Sequence, residues 1–488
     1  MVAMTNVIPL HIKNNLLHLD ATEISTLIRT KKVSSEEVIR VYIDHIQAVN
    51  PMLNAVVEER FDAAIEEAKE KDANIDEVNL KFQPLYGVPV SIKESIHVAG
   101  MKTTGGISHR ADIIVKNDAH VVEQLKRAGA IILCKTNTPA LCFCHETDNT
   151  LFGRTNNAWD MKRTAGGSSG GEGALIGVGG APIGIGSDIG GSIRFPSHFN
   201  GVVGFKPGKN QVSTTGHFPP DTHHLKARMS TIGPIGKSVR DMKLLYRLIQ
   251  QEQPRKALYE RMQVDVLPAD IGFPLSEKTT ELLGEVYELV SHTYNSTTTI
   301  PPFFNDSATI WQEIMSHDGG REITTLAFNT DRVNIFKEYM KSKLKRNTKH
   351  HPYLLWSLVG AKMFKPSQKR LKEMEQFLNE GDRTLDSYLS NRLLVFPVYH
   401  TGALKHGETY KEIFSIKRTF LQYLPYTVYA NVWGLPSLVI PVGTDHNGLP
   451  IAIQIMSKVG NEDAIFLLGE KIEKHFGGYK RSTVYDNP

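Results

Sequence analysis

Residues 166–197 read GGSSGGEGALIGVGGAPIGIGSDIGGSIRFPS, and the fold of the chain turns on why so many glycines stand together. Glycine weakens regular structure, so a run this dense needs a backbone reason, and close approach of main chain to a ligand is one. A flexible linker is disfavoured because Ala174, Leu175, Ile176, Ile183, Ile185 and Phe195 are interleaved and costly to leave in water. A phosphate cradle fails because a Walker loop needs Lys and then Ser or Thr after its last glycine, whereas Gly171 is followed by Glu172. The dinucleotide fingerprint fails too: Gly177 and Gly179 have the spacing, but Pro182 stands where the third glycine belongs. Gly166-Gly167-Ser168-Ser169-Gly170 fits the G-x-S-x-G nucleophile elbow, yet that elbow follows an apolar strand and residues 159–165 (WDMKRTA) are not one.

A different chemistry uses more of what is present. A serine hydroxyl becomes a nucleophile when a base removes its proton, and a lysine can be that base if burial lowers its pKa. Lys93 closes the apolar stretch 85–92 (LYGVPVSI), which reads as a short buried strand. Ser192 lies in Asp188-Ile189-Gly190-Gly191-Ser192, where small residues let backbone N–H groups turn toward a developing oxyanion. Spacing alone does not bring Lys93 to Ser192.

Outward from this segment the chain alternates helix and strand. Ser34 and Glu37 form a capping-box pattern, followed by apolar residues at helical spacing as far as Pro51. Helices are expected over 62–71, 118–128 with Asp118 as an N-cap type residue, 172–178, 241–250 and 462–475; strands over 131–133, 183–185 and 202–205. Residues 438–442 and 451–456 flank the turn signal Asp445-His446-Asn447-Gly448 and are expected to pair antiparallel. This alternation implies an α/β fold with a layered sheet, which the C-terminal pair makes mixed. No linker or repeat divides the chain, so residues 1–488 are read as one domain, with an N-terminal helical region over about 16–75. An irregular helical insertion is expected over about 252–391, and it carries a basic stretch at Lys341, Lys343, Lys345, Arg346 and Lys349.

Composition narrows the function classes. With 56 Lys and Arg against 52 Asp and Glu, the charge excess is too small to imply a nucleic-acid partner. The three cysteines, Cys134, Cys142 and Cys144, do not make a secreted disulfide framework. Cys142-x-Cys144-His145 lacks a second Cys pair, so no metal is expected. The first fifteen residues lack the apolar stretch of a signal peptide and no run is long enough to span a bilayer, so a cytoplasmic protein is expected.

Four segments together resemble the amidase signature hydrolases: GVPVSIKES at 87–95, GGSSGG at 166–171, GSDIGGSIRFPS at 186–197 and GVVGFKPG at 201–208. The resemblance extends from the Ser34 helix to GLPSLVIPVG at 434–443 and GLPIAIQIM at 448–456. It implies the amidase signature fold, a large mixed β-sheet flanked by α-helices, and hydrolysis of amides through an acyl-enzyme, with Ser192 as nucleophile, Ser168 as bridging serine and Lys93 as base. It further implies a cis Gly167–Ser168 peptide and an oxyanion hole from the N–H groups of Ile189, Gly190, Gly191 and Ser192. Ser169, Asp188 and Arg194 are expected to support the hydroxyls and the loop. No cofactor is implied, a small-molecule amide is the expected partner, and a homodimer is an expectation because family members often pair.

Within the family, Glu172 and Ile189 resemble the fatty acid amide hydrolase branch rather than the ammonia-channelling transamidosome component, which remains the alternative. Cys142 and Phe143 fall where that branch places acyl-channel residues. Residues 352–364 (PYLLWSLVGAKMF), flanked by Lys349, Lys365, Lys369 and Arg370, suit either a peripheral membrane contact or a buried helix.

Overall fold

The computed structural model describes residues 15–251, 262–344, 348–414 and 421–486. Residues 1–14, on which the expectation about a leader mostly rests, lie outside the described residues. So do 252–261, where the insertion was expected to begin, and Lys345 and Arg346 of the basic stretch.

One mixed sheet of eleven strands organises the chain. In chain order these are β1 (Val56–Glu59), β2 (Pro89–Lys93), β3 (Ile131–Thr136), β4 (Ile183–Asp188), β5 (Val203–Lys206) and β6 (Thr231–Gly236). They continue with β7 (Gln263–Val266), β8 (Asn295–Thr298), β9 (Arg392–Pro397), β10 (Ser437–Thr444) and β11 (Pro450–Met456). Their order across the sheet is β1-β3-β2-β4-β6-β5-β10-β11-β9-β7-β8. β2 runs parallel to both β3 and β4, and β7 parallel to β8 and β9; the other pairs are antiparallel, including the expected β10–β11 hairpin. Every residue of β2, β3, β4 and β6 is buried, which is why 85–92, 131–133 and 183–185 read as short apolar runs rather than alternating ones. β7 and β8 come from within the anticipated helical insertion; strands of four residues with Gln263, Asp265 and Asn295-Ser296 in them carry little apolar signal.

The helices follow their caps. Ser34 caps the helix Ser35–Leu53 through a reciprocal capping box with Glu37, and the helix passes Pro51 before Asn54 ends it in a left-handed conformation. Asp118 differs from expectation. Ala119 is the N-cap of His120–Arg127, while the Asp118 carboxylate accepts from the Ala99 N–H and from Lys126 Nζ, both at 2.7 Å.

The helix Gly170–Gly177 is wholly buried, and its glycines answer the question raised by the sequence. A Cβ on Gly171 would fall on the backbone of Asn137, and one on Gly184 of β4 would fall on the Glu172 carboxylate. Small residues here let a helix sit directly against β-structure.

Candidate active site

The parallel pairing of β2 with β4 sets Val90 beside Ile183 and Ile92 beside Ile185, so their carboxyl ends lie next to each other. Lys93 ends β2, and Ser187 and Asp188 end β4. The carboxyl ends of parallel strands are where open α/β sheets bind ligands. Lys93 Nζ is fully buried and lies 2.6 Å from Ser168 Oγ and 2.9 Å from Ser187 Oγ. Burial pushes the lysine pKa down, and Cys142, Asp188 and Glu172 oppose that only in part. A lysine in this setting has access to its neutral, proton-accepting form.

Ser168 follows a cis Gly167–Ser168 peptide. Its carbonyl accepts from Thr138 Oγ1 at 3.0 Å, which fixes the turn against the loop after β3. A Cβ on Gly167 would meet the Cys144 carbonyl oxygen and the Glu146 nitrogen at 2.7 Å, so only glycine lets this turn press on the 144–146 backbone. Ser169 Oγ stands 3.3 Å from both the carbonyl and the N–H of Ser187, and the Ser169 N–H donates to the Ser192 carbonyl at 3.1 Å. The two serine-bearing loops are thereby tied together, and Ser168 and Ser192 line one cavity.

Asp188 organises the turn that carries Ser192. Its carboxylate accepts from the N–H groups of Gly191 (2.8 Å) and Ile193 (3.0 Å), from Asn431 Nδ2 (2.8 Å), and from Arg194 Nε and Nη2 at 3.1 and 3.0 Å. Both side chains of the ion pair are completely buried. Burial pushes the Asp188 pKa up, but the Arg194 guanidinium and the remaining donors outweigh it and hold the carboxyl well below the usual carboxylate range. Arg194 also reaches Gln454 Oε1 on β11 at 3.1 Å, linking the loop to the far half of the sheet.

Of the four backbone donors expected for the oxyanion hole, Gly191 gives its N–H to the Asp188 carboxylate at 2.8 Å. Two side chains that the sequence reading missed set the adjoining peptides. Trp311 Nε1 donates to the Ile189 carbonyl at 2.8 Å, and His145 Nε2 lies 2.9 Å from the Gly190 carbonyl. Both peptides are trans, so each N–H points opposite to its carbonyl. Trp311 therefore turns the Gly190 N–H the other way, and His145 turns the Gly191 N–H toward Asp188. Trp311 lies more than a hundred residues from the loop and carried no signal; His145 was visible only as a neighbour of Cys142 and Phe143.

Two cavities meet at Ser192. The first has about 780 Å³ of open space and a mainly apolar wall that includes Phe143, Ile189, Trp311, Met315, Trp356 and Phe364. The second, about 520 Å³, is lined by Ser168, Ser187, His217, Asp221, Lys226 and Glu322 among others. Cys142 and Phe143 line both. The helix Pro352–Met363 buries Leu354, Leu355, Leu358 and Val359 and gives Trp356, Ser357, Gly360 and Met363 to the first cavity, so most of it is core and pocket wall. Beside it Phe336, Met340 and Leu344 are exposed, as is Met363 at its end.

Glu172 lies under the site without lining either cavity. It accepts from Ser91 Oγ on β2 at 2.5 Å and Thr136 Oγ1 on β3 at 2.7 Å, and burial raises its pKa to about 7.

The amidase family model matches residues 37–466. The chain is similar to fatty-acid amide hydrolase 2-B of Danio rerio, with 32% identity over 96% of this chain and 91% of that protein. It is also similar to a glutamyl-tRNA(Gln) amidotransferase subunit of Carboxydothermus hydrogenoformans, with 29% identity over 94% of this chain and 98% of that one. Among solved structures, 6-aminohexanoate cyclic dimer hydrolase complexed with substrate superposes with a TM-score of 0.80 at 23% identity, covering 96% of this chain and 99% of the other.

Proposed function

The chain belongs to the amidase family and hydrolyses amides, and from that premise we propose that it does so as a serine amidohydrolase with Ser192 as nucleophile, Ser168 as proton bridge and Lys93 as base. The observation that carries the reading is the fully buried Lys93 Nζ held 2.6 Å from Ser168 Oγ, with burial lowering its pKa. In the cycle, neutral Lys93 takes the Ser168 proton while Ser168 takes that of Ser192, and Ser192 Oγ bonds to the amide carbonyl carbon. The C–N bond then breaks, the proton returns through Ser168 to the leaving nitrogen, and an ester to Ser192 remains. Water repeats the attack, using the same bridge and base, and releases the acid. The N–H groups of Ile189, Gly190 and Ser192 are the oxyanion donors of this reading; one such donor is worth about 2.7–4 kcal/mol in the transition state.

The apolar cavity supports a lipophilic or aryl acyl group, and the polar cavity on the other side of Ser192 supports release of the amine. The exposed Phe336, Met340, Leu344 and Met363 beside the first cavity support peripheral contact with a lipid surface, made by this patch rather than by the whole of 352–364. Hydrolysis of simple amides graded from acetyl to long fatty acyl, together with an aryl amide and glutamine, tests the reading. Rates that rise with chain length and vanish in Ser192→Ala are expected. Turnover of glutamine alone, and only when a partner is added, would instead assign the chain to the amidotransferase class that its second relative represents.

A further inference from the structure

The catalytic lysine of the proposed triad has a second hydrogen-bonded neighbour, and a chain continues from it. Ser187 Oγ lies 2.9 Å from Lys93 Nζ and 2.9 Å from His217 Nε2, and His217 Nδ1 lies 3.0 Å from the Pro219 carbonyl oxygen. The last link fixes the ring. A carbonyl oxygen only accepts, so Nδ1 carries the ring proton, and in the neutral ring Nε2 is then an acceptor. Ser187 has one hydroxyl proton. Ser187 is the nearer of the two hydroxyls at Nε2, 2.9 Å against 3.2 Å for Ser95; with its proton given to the ring, its oxygen presents a lone pair to Lys93, and a Lys93 N–H points at Ser187. The remaining lone pair of neutral Lys93 is then directed to Ser168 at 2.6 Å.

We propose that His217, acting through Ser187, is a positioning residue that fixes the direction of the proton chain, so that the free lone pair of Lys93 faces Ser168. This rests on the Ser192–Ser168–Lys93 reading and deepens it. His217 takes no proton in the cycle. Lys93 takes the Ser168 proton and returns it, keeping its N–H to Ser187 throughout. Without an acceptor at Nε2 the Ser187 hydroxyl is free to donate to the Lys93 lone pair itself, in competition with Ser168.

The groups around the ring fit this role. Ser95 Oγ is 3.2 Å from Nε2 and is a more distant hydroxyl on the same acceptor. The Cys142 side chain hydrogen-bonds both the ring and Lys93, His97 faces the ring from the neighbouring segment, and Asp221, Lys226 and Glu322 line the same cavity. His97 and His217 are further joined through the backbone, the His97 N–H donating to the Gly216 carbonyl at 2.8 Å.

A double-mutant cycle on kcat tests the inference, run alongside the rate at which a fluorophosphonate labels the enzyme. His217→Phe keeps a ring but removes the acceptor, and is expected to lower both rates about tenfold or more at the pH optimum. His217→Gln, whose Oε1 can accept, is expected to recover part of the loss. In a Ser187→Ala background His217→Phe is expected to change neither rate further, because the effect travels through that hydroxyl. Equal losses from His217→Phe with and without Ser187, or wild-type rates in His217→Phe, overturn the inference. Should His217→Phe fail to fold, the same cycle with His217→Gln decides: wild-type rates in that single variant, against a loss in Ser187→Ala, support the acceptor role, and equal losses in both backgrounds oppose it. Failure of the triad reading is separable, since it predicts that Ser192→Ala takes no label and that Lys93→Met labels slowly whatever stands at 217.

Discussion

The floor of the site and its walls are built in opposite ways. The floor comes from the carboxyl ends of β2 and β4 and the turns that follow, and within it Lys93, Ser168, Asp188 and Arg194 are wholly or almost wholly buried and joined by hydrogen bonds. The walls come from 142–145, the helix Ser307–Met315, the helix Pro352–Met363 and Phe414, and they are apolar, with few hydrogen bonds among them. The difference teaches where tolerance to change lies. A buried polar network leaves a partner unsatisfied when any member is removed, whereas an apolar wall loses contact area in proportion to what is cut away.

The largest expected effect is chemical. Ser192→Ala should lower kcat by roughly 10⁵-fold or more while the thermal unfolding midpoint stays within a degree or two, as expected when a nucleophile is removed from an intact site. Considerable residual hydrolysis in that variant would break the assignment of the floor. Next comes Arg194→Ala, which strands the Asp188 carboxylate and the loop N–H groups that it holds. A loss of about 3–5 kcal/mol in denaturant unfolding is expected; a loss under about 1 kcal/mol would mean the network is not the rigid half of the comparison.

Glu172 gives the floor a pH signature. Its pKa is raised to about 7 in the folded protein against an ordinary 4.5, so the folded state binds the extra proton between those values. The stability from this group is therefore complete below about pH 4.5 and is lost as pH rises through about 7, amounting to about 3 kcal/mol. Unfolding curves of the wild type and Glu172→Gln across pH 4–8 should diverge in that sense, and parallel curves would remove Glu172 from the account. The smallest effect belongs to the walls. Met315→Ala or Phe143→Ala should change the preference between long and short acyl amides by about tenfold, with acetyl amide turnover nearly kept. An equal loss on every amide would blur the distinction between wall and floor.

The same division separates what the sequence made legible from what it hid. The floor is encoded in residues 87–95 and 166–208, where close approach forces glycines and buried chemistry forces Ser, Lys, Asp and Arg, so residue type alone is informative. The strands beneath it were read correctly in kind from their apolar starts, though β3 and β4 run three residues further than expected, as the added Cys134-Lys135-Thr136 and Gly186-Ser187-Asp188 are polar or small. Trp311, His145 and His217 were missed because each acts at a distance in sequence: a tryptophan that donates to one carbonyl looks like any core aromatic until the fold brings it there. Asp118 was misread because a carboxylate near a helix start is a common cap, and here Lys126 and the Ala99 N–H compete for it.

The central claim is that a lysine-activated serine at position 192 forms the acyl-enzyme. Peptide mapping by mass spectrometry after reaction with a fluorophosphonate, at matched times for the wild type and Lys93→Met, tests it most directly. The account predicts one adduct, on the peptide carrying Ser192, formed at least a hundredfold more slowly in Lys93→Met. An adduct on another residue, or equal labelling rates in the two proteins, would contradict it.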